Sequence, residues 1–143
     1  RIYAIGPEGV KNLREAAYWM HRAAEDGDMS TQYYLGTLYL WGYKDLGIRR
    51  DARQAAKWFE QSARQGHEKA AAELALLYQE GADGLPQDMA AAAKWYEKAA
   101  EAGDSRAAAI LSQMYAQGIG VKRNMKKAEK WRKRSEQDQP ADK

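Results

Sequence analysis

Four tryptophans set the frame of this chain. Trp19, Trp58, Trp95 and Trp131 stand 39, 37 and 36 residues apart, and Ala16, Ala55, Ala92 and Ala128 each lie three residues before one of them. Gly27, Gly66 and Gly103 follow eight residues after the first three tryptophans. Beyond each glycine the pattern runs through Leu35, Leu74 and Leu111, then Tyr39, Tyr78 and Tyr115, then Gly42, Gly81 and Gly118. Asn12, Asp51, Asp88 and Asn124 stand seven residues before the tryptophans. All variation in length falls between the second glycine and the Asp or Asn, so it belongs to a loop. A fixed frame with one elastic loop is the signature of a helical repeat array.

Each unit reads as two helices. Asp51 is a good N-cap, because its carboxylate accepts the first free backbone N–H groups. Ala52, Ala55, Trp58, Phe59 and Ser62 then recur at spacings of three and four, which makes one apolar stripe. Gly66 suits the left-handed residue that ends a helix, as do Gly27 and Gly103. Asp28 and Asp104 follow at once and cap a second helix, whereas His67 replaces Asp in the middle unit and predicts a weaker cap there. Ala70, Leu74, Leu77 and Tyr78 share one side of that second helix. Gly36, Ala75 and Ser112 lie beside the leucines, where a small side chain lets helices approach closely. A tryptophan repeated in four copies is expected to be core rather than a ligand platform.

The spacing predicts an all-α chain of about three repeats plus a terminal helix: residues 12–50, 51–87 and 88–123, then 124–143 as a last helix and tail. Residues 1–11 read as the end of an upstream repeat, since Tyr3-Ala4-Ile5-Gly6 matches Tyr115-Ala116-Gln117-Gly118. That match, with Arg rather than Met at position 1, is read as the C-terminal part of a longer array. The polar end from Gln137 to Lys143, with Pro140, is expected to fray.

Composition narrows the function classes. With 23 basic against 20 acidic residues, the net charge of +3 does not by itself imply nucleic acid. No apolar run is long enough to span a membrane. The absence of cysteine excludes disulfides, a thiolate nucleophile and Cys-based metal sites, and leaves the compartment open. The two histidines, His21 and His67, fall in different helices of different repeats. Gly118-Ile119-Gly120 looks like part of a phosphate loop, but it follows a helix rather than a strand and is explained by the repeat turn. No catalytic, cofactor-binding or metal-ligating residue is assigned, and an enzyme is not expected.

Ala92 to Asn124 closely resembles the pattern of the Sel-1-like repeat family, relatives of the tetratricopeptide repeats. The resemblance covers residues 3 to 136, with the third copy most faithful, the first lengthened between Gly42 and Asp51, and the fourth stopping after one helix. It implies an α/α solenoid, a right-handed superhelix of antiparallel helix pairs. It also implies a bacterial adaptor or scaffold that holds another protein, in the cytoplasm or the periplasm. Some members neutralise secreted toxins as immunity proteins, so a dedicated inhibitor occluding one globular target is the alternative.

Partner recognition must then lie in the positions that differ between copies. If the first helix of each pair lines the concave face, its outer rows carry Arg14, Arg53 and Lys126, then Tyr18, Lys57, Lys94 and Lys130, then His21. These nearly basic rows suit acidic peptides or carboxylate termini. They also suit a solvated face with Lys57–Glu60 and Lys94–Glu97 pairs. Trp41 and Tyr43 flank Gly42 where the frame asks for no aromatic, and exposed aromatics make good interface anchors. Tyr33 and Tyr34 replace Ala72 and Glu73, and these aromatics, Trp41 and Tyr43 included, read either as such anchors or as packing on an upstream repeat or steadying the long loop. The segment Lys122 to Arg134 holds eight basic residues and one acidic residue, Glu129. It reads either as a patch for phosphate or an anionic membrane surface, or as the polar cap that a terminal repeat needs. A nucleic-acid partner is not expected.

Overall fold

The computed structural model describes residues 7–137, with side chains described from Asn12 onward. It holds seven α-helices: α1 (Pro7–Glu25), α2 (Met29–Trp41), α3 (Ala52–Arg64), α4 (Glu68–Glu80), α5 (Met89–Glu101), α6 (Ser105–Gln117) and α7 (Met125–Gln137). No strand forms among the described residues. Two isolated bridges, Tyr43 with Ile48 and Ala82 with Leu85, merely close loops. Each helix packs on its neighbours in sequence, α1 on α2 through to α6 on α7. Three helix pairs and a terminal helix result, as the spacing predicts. The expected helix end at Tyr3–Gly6 and the tail beyond Gln137 lie outside the described residues.

The helices begin and end where the frame places caps. Asp51 accepts from the backbone N–H groups of Arg53 and Gln54, Asp88 from Ala91, Asp104 from Arg106 and Ala107, and Asn124 from Lys127. Such a cap is typically worth about 1 kcal/mol. Gly42, Gly81 and Gly118 close the second helices, their N–H groups bonding back to Leu38, Leu77 and Met114. The first helix starts earlier than the frame places it. Helix α1 begins at Pro7, well before Asn12, because proline's fixed φ and missing N–H fit the first helical turn. Asn12 therefore lies inside the helix instead of capping it.

The elastic loops are closed by one conserved-in-geometry bond. The N–H groups of Asp51, Asp88 and Asn124 donate to the carbonyls of Tyr39, Tyr78 and Tyr115, at 2.8, 2.8 and 2.9 Å. Loops of different length thus begin and end on the same two backbone points.

One core runs from α3 to α7, built of Phe59, Leu74, Leu77, Trp95, Tyr96, Leu111, Met114 and Trp131 among many buried alanines. The alanines keep the helices thin enough to approach. Gly36 goes further: a Cβ there would fall 2.6 Å from the Phe59 ring, so glycine alone lets α2 meet the fully buried Phe59. A second cluster joins Ala24 and Leu35 to Trp58, with Met20, Leu38 and Tyr39 packed against it.

Three of the four frame tryptophans are core: Trp58, Trp95 and Trp131 are at most 4% exposed. Trp19 is not. It is 63% exposed, and its ring is met edge-on by Tyr18 at 5.1 Å. Trp58 is covered by the pair α1–α2, whereas the described residues place no such pair over Trp19. Among the described residues Trp19 thus departs from the expectation that all four are core.

His67 caps α4 through Nδ1, which accepts from the Ala70 N–H at 3.1 Å, while its ring stacks on Tyr33 at 4.6 Å. Only a neutral imidazole accepts there. Burial, reinforced by Lys69, accordingly pushes its pKa below the ordinary value. The unfolded chain then binds the proton more readily than the folded one, so stability rises with pH across this window. The contribution is complete above about pH 6.5 and is lost as pH falls through the lower folded value. His67→Asp, which restores the residue found at 28 and 104, should flatten this part of the pH dependence. Thermal melts at pH 7.5 and 5.0 on both proteins provide the check. An unchanged slope in the variant would show that His67 does not titrate as a cap.

Candidate partner-binding surface

Helical spacing puts Arg53 and Lys57 of α3, Lys94 of α5, and Lys126 and Lys130 of α7 on exposed faces, with Arg14 and Tyr18 of α1 exposed likewise. The three lysines that precede a tryptophan share a second role. Their ammonium groups lie over the adjoining rings, Lys57 on Trp58 at 4.7 Å, Lys94 on Trp95 and Lys130 on Trp131 at 4.9 Å. At exposed sites such contacts are worth about 0.5–1 kcal/mol each. The lysine row therefore supports the core as well as charging the surface. The expected pairing of Lys57 with Glu60 is replaced: Glu60 pairs with Arg64 one turn on.

His21 is not a free surface group. Its Nδ1 donates to the Ala17 carbonyl at 2.9 Å, so in the neutral ring Nε2 accepts from the Tyr39 hydroxyl at 3.0 Å. The ring also meets Trp58 edge-on at 6.5 Å. Tyr33 is likewise taken up within the fold. It turns towards the following repeat, tilting against Phe59 and stacking on His67, rather than upstream or over the loop.

Trp41 and Tyr43 are different. Trp41, the last residue of α2, is 70% exposed, and Tyr43 is exposed beside it. Their loop is nevertheless fixed. Tyr43 and Ile48 exchange N–H···O bonds of 2.8 and 3.1 Å around a 3-10 turn over Lys44–Leu46, and Ile48 is buried as the loop's own anchor. A shallow hollow of about 550 Å³ opens there, between the two aromatic rings and the side chains of Lys44, Ile48 and Arg49. On the other side of Trp41 lies a narrower hollow of about 180 Å³, towards α4.

Part of this face is not marked by the repeat spacing. Tyr34 and Trp41 of α2, Leu76 of α4 and Ile110 of α6 are all exposed apolar residues on second helices. Leu76 and Ile110 were hidden among the apolar residues of their own stripes. A basic first-helix face and an apolar second-helix face thus coexist, and Trp41 stands at the end of the apolar one. Among the described residues no group of His, Asp or Glu is arranged to hold a metal ion, and no helix is long and apolar enough to cross a membrane.

The geometry agrees with known proteins. The Sel1 repeat model matches residues 1–28, 30–67, 68–104 and 105–135. A solved Sel1 repeat protein from Oxalobacter formigenes is 31% identical, with a TM-score of 0.73 over 87% of this chain and 49% of its own. The Escherichia coli protein c5321, a protective antigen of uropathogenic strains with an SLR fold, is 33% identical. It also has a TM-score of 0.73 over 87% of this chain, but over only 26% of its own. This chain therefore spans about a quarter to a half of those proteins. Cysteine rich protein B of Helicobacter pylori, 21% identical with a TM-score of 0.61 over 90% of each chain, shares the fold alone. With four matched segments running along seven helices in register, the chain belongs to the Sel1 repeat family.

Proposed function

We propose that this chain is a non-catalytic protein-binding module whose main anchor for a partner is Trp41. Sel1 repeats are generally protein–protein interaction modules. The observation that carries this proposal is a large aromatic ring, 70% exposed, at the end of α2 beside a loop held by the paired backbone bonds of Tyr43 and Ile48. Such a side chain loses little conformational freedom on binding and offers a large apolar area, the profile of an interface hot spot. Anchors gathered at one loop favour a folded target over an extended peptide, which keeps an inhibitor of one globular protein within this reading. The basic rows on the first helices, the expected concave side, act as long-range steering for an acidic region of the same partner.

A photo-crosslinking residue placed at 41, and separately at 57, in bacterial cells that carry the protein identifies the partner and its side of approach. Adducts from position 41 support the anchor, and adducts from 57 alone overturn it. Against that partner, Trp41→Ala is expected to cost about 2 kcal/mol or more of binding while changing folding stability by less than about 1 kcal/mol. Calorimetry of binding and a thermal melt give the two numbers.

A further inference from the structure

The narrow hollow beside Trp41 has a chemistry of its own. Leu40, Trp41, Leu76 and Leu77 form its walls. Glu73 and Glu80, two turns apart on one face of α4, supply carboxylates, and Arg50 lies at its loop side. Among the described residues neither glutamate takes part in a hydrogen bond or an ion pair, with Arg50 or any other cation. Glu73 is half-buried, and burial raises its pKa above the ordinary carboxylate value.

A partly desolvated carboxylate with no partner costs stability. The repeat frame does not require it, because the equivalent positions hold Tyr34 in α2 and Ile110 in α6. At about 180 Å³ the hollow falls below the roughly 300–1,000 Å³ of typical small-molecule sites. What fits apolar walls, an indole face and two free carboxylates is one long side chain with an aliphatic stem and a cationic head.

We propose that the hollow between Trp41 and Glu73 is a subsite for a single cationic side chain of the partner, with arginine preferred. Its stem lies along Leu76 and Leu77, and its guanidinium meets Glu73 and Glu80 beside the Trp41 ring. Arginine is favoured over lysine because its planar head both stacks on an aromatic face and bonds a carboxylate bidentately. The subsite rests on the reading of Trp41 as the anchor and adds the chemistry of what arrives next to it. It is distinct from the steering surface, which is basic and lies on the first helices.

Two blocked peptides serve as probes, Ac-Gly-Leu-Arg-Leu-Gly-NH2 and its counterpart with citrulline, which keeps the shape and removes the charge. Each is titrated into the whole chain while the Trp41 indole N–H resonance is followed by NMR. The arginine peptide should shift that resonance saturably and bind about tenfold more tightly than the citrulline peptide, as expected for a charge-assisted contact. Glu73→Gln should abolish the difference without weakening citrulline binding, and its melt, unchanged or higher, verifies the fold. Equal binding of the two peptides, or no shift at Trp41, overturns the subsite. So does self-association of the chain that Glu73→Gln abolishes, because the occupant is then a second copy. If the crosslinked partner needs Trp41 yet binds the Glu73→Gln protein as tightly as the original, the subsite fails while the anchor stands.

Discussion

Trp58→Ala is expected to cost about 3–5 kcal/mol of folding stability, the range for removing a large aromatic from a core. Trp58 is 3% exposed and is the main side chain through which α3 reaches Ala24 of α1 and Leu35 of α2. Its loss leaves a void between the first pair and the rest, and the stiff, narrow helices have little means of closing it. It also strands the Lys57 ammonium and the His21 edge contact, both now resting on the indole. One term opposes these: the buried Trp58 Nε1–H has no acceptor, so Trp58→Phe should be milder than Trp58→Ala. Trp19→Ala, at the same frame position but with the ring exposed, should change stability by less than about 1 kcal/mol. Urea unfolding of the three variants makes the comparison. A loss below about 1 kcal/mol for Trp58→Ala would falsify its assignment to the core.

Gly120→Ala should be nearly as damaging, at about 2–5 kcal/mol, for two separate reasons. The residue has φ of 74°, in the left-handed region where an L side chain costs about 1–2 kcal/mol. A Cβ there would also stand 2.2 Å from the carbonyl oxygen of Met89 and 2.6 Å from its carbon. Those atoms are backbone in the first turn of α5 and cannot swing aside as a side chain would, so overpacking adds about 1–3 kcal/mol. Gly47 separates the two causes. Its φ is 71°, yet nothing lies within 4 Å of its added Cβ, so Gly47→Ala should cost only the conformational part, about 1–2 kcal/mol. Equal losses for the two variants, measured by thermal melts, would mean that the turn does not press on Met89. The glycine pair around Ile119, which in the sequence resembles a phosphate loop, is thus required at position 120 by backbone contact.

What spacing revealed was what a single helix decides for itself. Asp51, Asp88, Asp104 and Asn124 cap helices through bonds made within three residues, so their roles were legible one position at a time. The tryptophans were legible as core where the described residues place a preceding pair over them, as at Trp58 and Trp95, and the described residues place none over Trp19. The lysines beside them looked like partners for glutamates a turn away, because spacing alone cannot weigh an indole face against a carboxylate. Trp41 was legible as an intruder in the frame, and its exposure followed. Its surroundings were not, since Glu73 and Leu76 join it from the next repeat across the loop. Contacts between repeats depend on how the pairs stack, and a one-helix period carries no record of that.

The bond from the Asp51 N–H to the Tyr39 carbonyl has a further consequence. Everything between Gly42 and Arg50 hangs from a clasp that the solenoid fastens on its own account, as it does again at Asp88 and Asn124. Lengthening a loop that is already clasped is inexpensive, about 0.6 kcal/mol for each doubling. Grafts and insertions at this corner should therefore leave the helices in place, and a lineage could exchange one target for another by rewriting a few residues there while every cap and core side chain stays as it is.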